Sequence, residues 1–184
     1  NGVVNADDTL AIILNYGQSH LKTSGQQELF SSGTVMYLDI PNGPISKGTK
    51  LIIPIYLGSS TSPAPNAYGI AFSISYDSSL VNNDSISISV DNSWLGTNGF
   101  DLMSVTKHLS SAQQIDIAVS RTDQVNQTGY GVLGELNVVT SDNISGKTNV
   151  ADIKLTITSA HLISVDESII DVTITSTTGI ENIN

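Results

Sequence analysis

The chain has 184 residues, 39% hydrophobic and only 13% charged, with 7 basic against 17 acidic side chains and a formal net charge of -10. That sign repels phosphate backbones and anionic lipid, which excludes nucleic acid as a partner. With no cysteine there is no disulfide framework, and the longest apolar run, 51–57, is interrupted by Pro54 and falls far short of the roughly 20 residues of a membrane span.

The first periodic segment is helical. Leu10, Ile13 and Leu14 fall at i, i+3 and i+4, and Gly17 follows as a stop, so one short amphipathic helix is predicted. Asn5 suits its N-cap, and Asp7 and Asp8 put negative charge in the first turn, where the helix dipole favours it. Residues 18–33 are polar and aperiodic and read as a connector.

After Gly33 the period changes to two. Segments rich in Val, Ile, Thr and Tyr recur between clusters of Gly, Pro, Asn, Asp and Ser, which predicts strands at 35–40, 50–57, 68–76, 85–90, 102–106, 114–120, 131–140, 153–159 and 169–175. The predicted fold is all-β, a nine-stranded jelly-roll or immunoglobulin-like sandwich with one short N-terminal helix. Ile70, Phe72, Ile74 and Tyr76 alternate with Ala71, Ser73 and Ser75, so the first set faces the core and the second faces water. Ile153, Leu155 and Ile157 repeat the pattern. Pro54 has no ladder donor, which predicts an edge strand or a bulge. The chain divides into a loop and helix at 1–17, a connector at 18–33, the sandwich at 34–176 and a C-terminal linker at 177–184.

The first residues also fit the second half of a calcium loop. An EF-type loop takes ligands at positions 1, 3, 5, 7, 9 and 12, with Gly at 6 and an exiting helix after it. With Asn1 as position 5, Gly2 is 6, the Val3 carbonyl is 7, Val4 is the apolar 8, Asn5 is 9 and Asp8 is 12. An ordinary Asn-Gly turn ahead of a capped helix is the alternative reading. Calcium is the expected cofactor, held in part by Asn1, Val3, Asn5 and Asp8, and tight binding needs the ligands upstream of Asn1. The segment 1–17 resembles the second half of one dockerin repeat, whose twelfth ligand is likewise Asp.

Three strings in the sandwich carry a second resemblance: Ala67-Tyr68-Gly69-Ile70-Ala71-Phe72-Ser73-Ile74-Ser75-Tyr76-Asp77, Ser93-Trp94-Leu95-Gly96-Thr97, and Ile115-Asp116-Ile117-Ala118-Val119-Ser120-Arg121-Thr122-Asp123. With them the sandwich resembles the cohesin-like modules of Bacteroidetes surface proteins. The resemblance implies a nine-stranded sandwich related to cohesins, which bind dockerins through one sheet face, and it leaves the ligand unnamed. Thr178-Gly179-Ile180-Glu181-Asn182 resembles the junction before a type IX secretion sorting domain, which implies export and an extracellular or outer-cell-surface location.

Markers of catalysis are missing from the sequence. His20, His108 and His161 lack zinc-ligand spacing, and there is no Cys nucleophile, Gly-x-Ser-x-Gly elbow or phosphate-binding glycine loop. Asp77, Asp101, Asp116, Asp123 and Glu135 are scattered carboxylates without a recognisable pair. The binding candidates are Trp94, Arg121, Asp123 and Tyr130. Trp94 reads either as a sugar-stacking platform or as a packed anchor, with the anchor favoured. Arg121 with Asp123 reads either as the start of a recognition loop running to Tyr130 or as a strand-end ion pair, which is favoured because a chain with so few bases usually holds its Arg. The expected function is a secreted or cell-surface, non-catalytic binding or adhesion module. Its expected partners are a protein or a second copy of itself, with carbohydrate as a further class. The alternatives are a subunit of a self-assembling extracellular filament or layer, and a carbohydrate-binding appendage of a secreted enzyme.

Overall fold

A computed structural model of the chain describes residues 33–41, 43–44, 46–82, 85–142 and 153–175. The predicted N-terminal helix, the calcium half-loop of Asn1, Val3, Asn5 and Asp8, and the C-terminal junction lie outside them. The strands in chain order are β1 (Val35–Leu38), β2 (Lys50–Leu57), β3 (Ala64–Ala67), β4 (Gly69–Tyr76), β5 (Ser87–Ser89), β6 (Leu102–Leu109), β7 (Gln114–Arg121), β8 (Gln127–Gly129), β9 (Gly131–Val139), β10 (Leu155–Ile163), β11 (Ile169–Ile170) and β12 (Thr173–Ile174).

They form two five-stranded sheets, in the orders β12-β1-β2-β9-β5 and β11-β10-β4-β7-β6, and a small β3-β8 pair. All pairings are antiparallel except β1 with β12. Each predicted strand recurs, the last one split into β11 and β12. The pair β3 and β8 is added. Ala64–Ala67 contains Pro65 and a left-handed Asn66 at φ 47°, and Gln127–Gly129 is polar. Neither has an apolar alternation to announce it, and they become strands only by meeting each other.

The core lies between the large sheets. Ile53, Ile55 and Leu57 of β2 and Leu133, Leu136 and Val138 of β9 face Ile70, Phe72, Ile74 and Tyr76 of β4 and Ile115, Ile117 and Val119 of β7, all buried. Two bulges reset the alternation. The β2–β9 register skips Leu133, with Ile55 opposite Gly134 and Tyr56 opposite Val132, so inward residues change from odd to even numbers after Leu133. Between Ile157 and Ser159 the β4–β10 register skips Thr158, and the inward set changes from Leu155 and Ile157 to Leu162. An extra residue in one strand does this, and it explains why β10 runs on past the predicted end at Ser159.

Pro54 lies on an inner strand, between β1 and β9. Its carbonyl accepts from the Asp39 N–H at 2.9 Å, so the missing donor faces the side of β1, just beyond that strand's last residue. The chain there has passed the last residue of β1, and the β9 bulge at Leu133 lies on the opposite side of β2, between Ile55 and Tyr56.

Candidate functional site

The outward face of β6, β7, β4 and β10 is set by register. One row crosses the sheet as Val105, Ala118, Ala71 and His161, and the next as Lys107, Asp116, Ser73 and Ser159. Because the two central strands carry only Gly, Ala, Ser, one Asp and, at the end of β7, Gln114 outward, the middle of the face is low. The edge strand stands higher, with Met103 56% and Val105 62% exposed. Between them lies a groove of about 370 Å³, floored by Ala71, Ser73 and Ala118 and rimmed by Val105, Lys107 and His161.

Electrostatically the groove is almost neutral. Asp116 accepts from Gln114 Nε2 at 2.6 Å and from Ser73 Oγ at 2.8 Å. These hydrogen bonds, Gln114 first, hold its carboxyl below the usual carboxylate range, and the Lys107 charge across the strand adds to the effect. On the core side of the same sheet, Tyr76 Oη and His108 Nε2 are 2.6 Å apart, which ties the β4 and β6 ends together. The opposite sheet presents a different outward face, on which Tyr37 and Tyr56 stack with centroids 5.0 Å apart and planes 5° from parallel. Burial, first, and the neighbouring Tyr56 raise the Tyr37 hydroxyl pKa.

The sequence-derived binding candidates sit elsewhere, at the end of the sandwich where residues 91–101 meet 121–131. Arg121, 6% exposed, donates from Nε to Asp123 Oδ1 at 3.0 Å, from Nη2 to Asp123 Oδ2 and to Asp101 Oδ2 at 3.3 Å, and from Nη1 to the Leu95 carbonyl. The Asp123 hydrogen bond is the main cause of the raised Arg121 pKa and of the lowered Asp123 pKa. Gly96 lies in the same knot, where a Cβ would stand 2.8 Å from Asp101 Oδ1. Trp94 donates its backbone N–H to Val132 at 3.0 Å, and its ring lies over Gly129, where a Cβ would come within 3.0 Å of it. Trp94 Nε1 is buried without a hydrogen-bond partner. Of the four, Tyr130 is the exposed ring, at 52%.

Arg121 and Asp123 are therefore paired with each other and Trp94 is seated on backbone, while the groove residues Ala71, Val105, Lys107, Asp116, Ala118 and His161 went unnoticed as a site. The available signal was the run of small outward residues in β4 and β7. Among the described residues no cluster of three or more His, Cys, Asp or Glu side chains can hold a metal ion, and no helix is long and apolar enough to cross a membrane.

No family model and no curated protein matches this chain. Solved structures do. A structure of the sixth cohesin of Acetivibrio cellulolyticus scaffoldin B in complex with a Cel5 dockerin aligns with TM-score 0.60 and 14% identity, over 78% of this chain and 94% of that one. A type I cohesin–dockerin complex from Clostridium thermocellum gives TM-score 0.58 and 13% identity, over 76% and 94%. The second type II cohesin module of the Acetivibrio cellulolyticus ScaA scaffoldin gives 0.54 and 12%, over 78% and 94%. With identities this low the likeness is one of fold: the described residues adopt a cohesin-like two-sheet sandwich.

Proposed function

We propose that this chain is a secreted or cell-surface, non-catalytic module that docks a partner protein on the outward face of β6, β7, β4 and β10. The observation that carries this reading is the groove: a flat, nearly neutral floor of Ala71, Ser73 and Ala118 beside exposed Val105 and Met103 on a molecule of charge -10. Small residues on adjacent strands let a partner approach the sheet closely, and apolar rim residues give it area to cover. The fold likeness supports the same reading, since the similar structures include cohesins in complex with dockerins. The carbohydrate reading loses its platform because Trp94 lies against Gly129.

The direct experiment is calorimetric titration of the chain with dockerin modules from the two organisms above. A parallel titration uses Ala118→Arg, which places a long charged side chain on the groove floor. Binding that falls at least tenfold in the variant supports the face, and binding that survives moves the partner elsewhere. Turnover on glycosidase, esterase or peptidase substrates that vanishes when one carboxylate is replaced would overturn the non-catalytic assignment.

A further inference from the structure

The two large sheets have four edge strands, and three of them are short: β5 has three residues, and β11 and β12 have two each. Short edges offer little template for another chain. The fourth, β6, has eight residues, no proline, and a register with β7 free of bulges. No described strand lies beyond it.

Which backbone groups of β6 point outward follows from its first residue. Leu102 donates its N–H to Thr97 at 3.1 Å and its carbonyl accepts from Gly99 at 2.9 Å, so both turn away from β7 and are already used by the 97–101 loop. Orientation alternates along a strand. Ser104, Thr106 and His108 therefore also aim N–H and C=O outward, while Met103, Val105, Lys107 and Leu109 bond to β7. The outward set is symmetric about Thr106.

We infer that β6 pairs antiparallel with β6 of a second copy, about a two-fold axis through Thr106. In this register Thr106 faces Thr106 and Ser104 faces His108, so every outward group left by the 97–101 loop is satisfied, whereas a shift of one pair sends His108 onto the occupied Leu102. On the groove side, Val105 meets Lys107 and Met103 meets Leu109. Charge permits the contact. β6 carries no carboxylate in a chain of charge -10, and each Lys107 has Asp116 of its own molecule beside it. A second copy fits because an antiparallel edge is self-complementary, as an isologous interface must be. Phe100, 85% exposed just before the strand, flanks the pairing. A single strand edge covers less than the roughly 1,200 Å² of a stable interface, so the dimer is weak and reversible. Its two docking faces lie on the same side of one continuous ten-stranded sheet.

Sedimentation equilibrium of the full chain over a wide concentration range tests this. The expected result is a weight-average mass that rises from monomer toward dimer and no further. Thr106→Pro removes an outward donor without breaking a β7 bond, and Thr106→Lys places like charges on the axis. Both variants are expected to stay monomeric with an unchanged circular dichroism spectrum; if the proline variant misfolds, the lysine variant decides. A chain that is monomeric throughout, a mass that grows beyond dimer, or a dimer indifferent to Thr106→Lys overturns the inference.

Discussion

Arg121 ties its own strand end, through Asp123, to Asp101 and the Leu95 carbonyl of a loop that is distant in sequence, and its guanidinium has a use for each nitrogen. Lysine in its place keeps the charge and loses the fork, so it cannot serve the Leu95 carbonyl and both carboxylates at once, and a carboxylate it misses is left with its backbone donor, Thr97 N–H at Asp101 or Val125 N–H at Asp123. Arg121→Lys is expected to lower the unfolding free energy by about 2 kcal/mol, the scale of a hydrogen bond to a charged group, measured by urea denaturation. The pairing with Asp123 was legible two residues away in the sequence. The bonds to Asp101 and Leu95 were not, because loop closure alone brings them together. The same scale governs the acid limb of stability. Asp166 accepts hydrogen bonds from Ser164 Oγ and Ser168 Oγ, and they pull its pKa from 3.8 to about 2. Asp91, Asp116 and Asp123 are also lowered, each chiefly by a side-chain hydrogen bond. A folded-state pKa below the unfolded one means that the unfolded chain binds more protons in between, so these groups stabilise the fold above about pH 4. The contribution is lost as pH falls toward 2. Thermal melts from pH 6 to pH 2 should show the midpoint dropping mainly below pH 4, with a shallower final drop in Asp166→Asn.

Among the strands, β4 and β9 occupy inner positions and respond to substitution by different physics. Phe72 on β4 is 3% exposed, so Phe72→Ala leaves a cavity in the core and should cost about 3 to 5 kcal/mol in a denaturant titration. Gly134 on β9 is a matter of approach. A Cβ there would stand 2.6 Å from the Ser89 carbonyl oxygen and 3.1 Å from Val90, so Gly134→Ala should push β5 off the sheet edge and cost about 1 to 3 kcal/mol. Equal melting of that variant and the parent would show that β5 shifts freely. The inward position of Phe72 was readable from alternation, because a strand with one wet face has to alternate. The demand at Gly134 was not, since it comes from a carbonyl 45 residues away in the chain. Both bulges were also hidden, because a skipped residue looks in sequence like the end of a pattern.

At the scale of the molecule, a charge of -10 on a chain with 7 basic residues means that acidic side chains repel one another across the surface. Raising the ionic strength from 0.01 M to 0.15 M shortens the screening length from about 30 Å to about 8 Å. The melting midpoint should therefore rise with added sodium chloride at neutral pH, and a falling midpoint would show that short-range pairs such as Arg121 with Asp123 outweigh the general repulsion. Composition and periodicity by themselves determined the all-β class, the positions of most strands and the inward residues of β4, since each follows from neighbours one or two places along the chain. They also determined the sign of the surface. The tertiary structure decided which strands are neighbours. Ala71 and Ala118 form one groove floor, and β6 is left as the long open edge, only because β4 lies beside β7 and β7 beside β6. Strand order depends on contacts between distant segments, and local alternation carries no record of it.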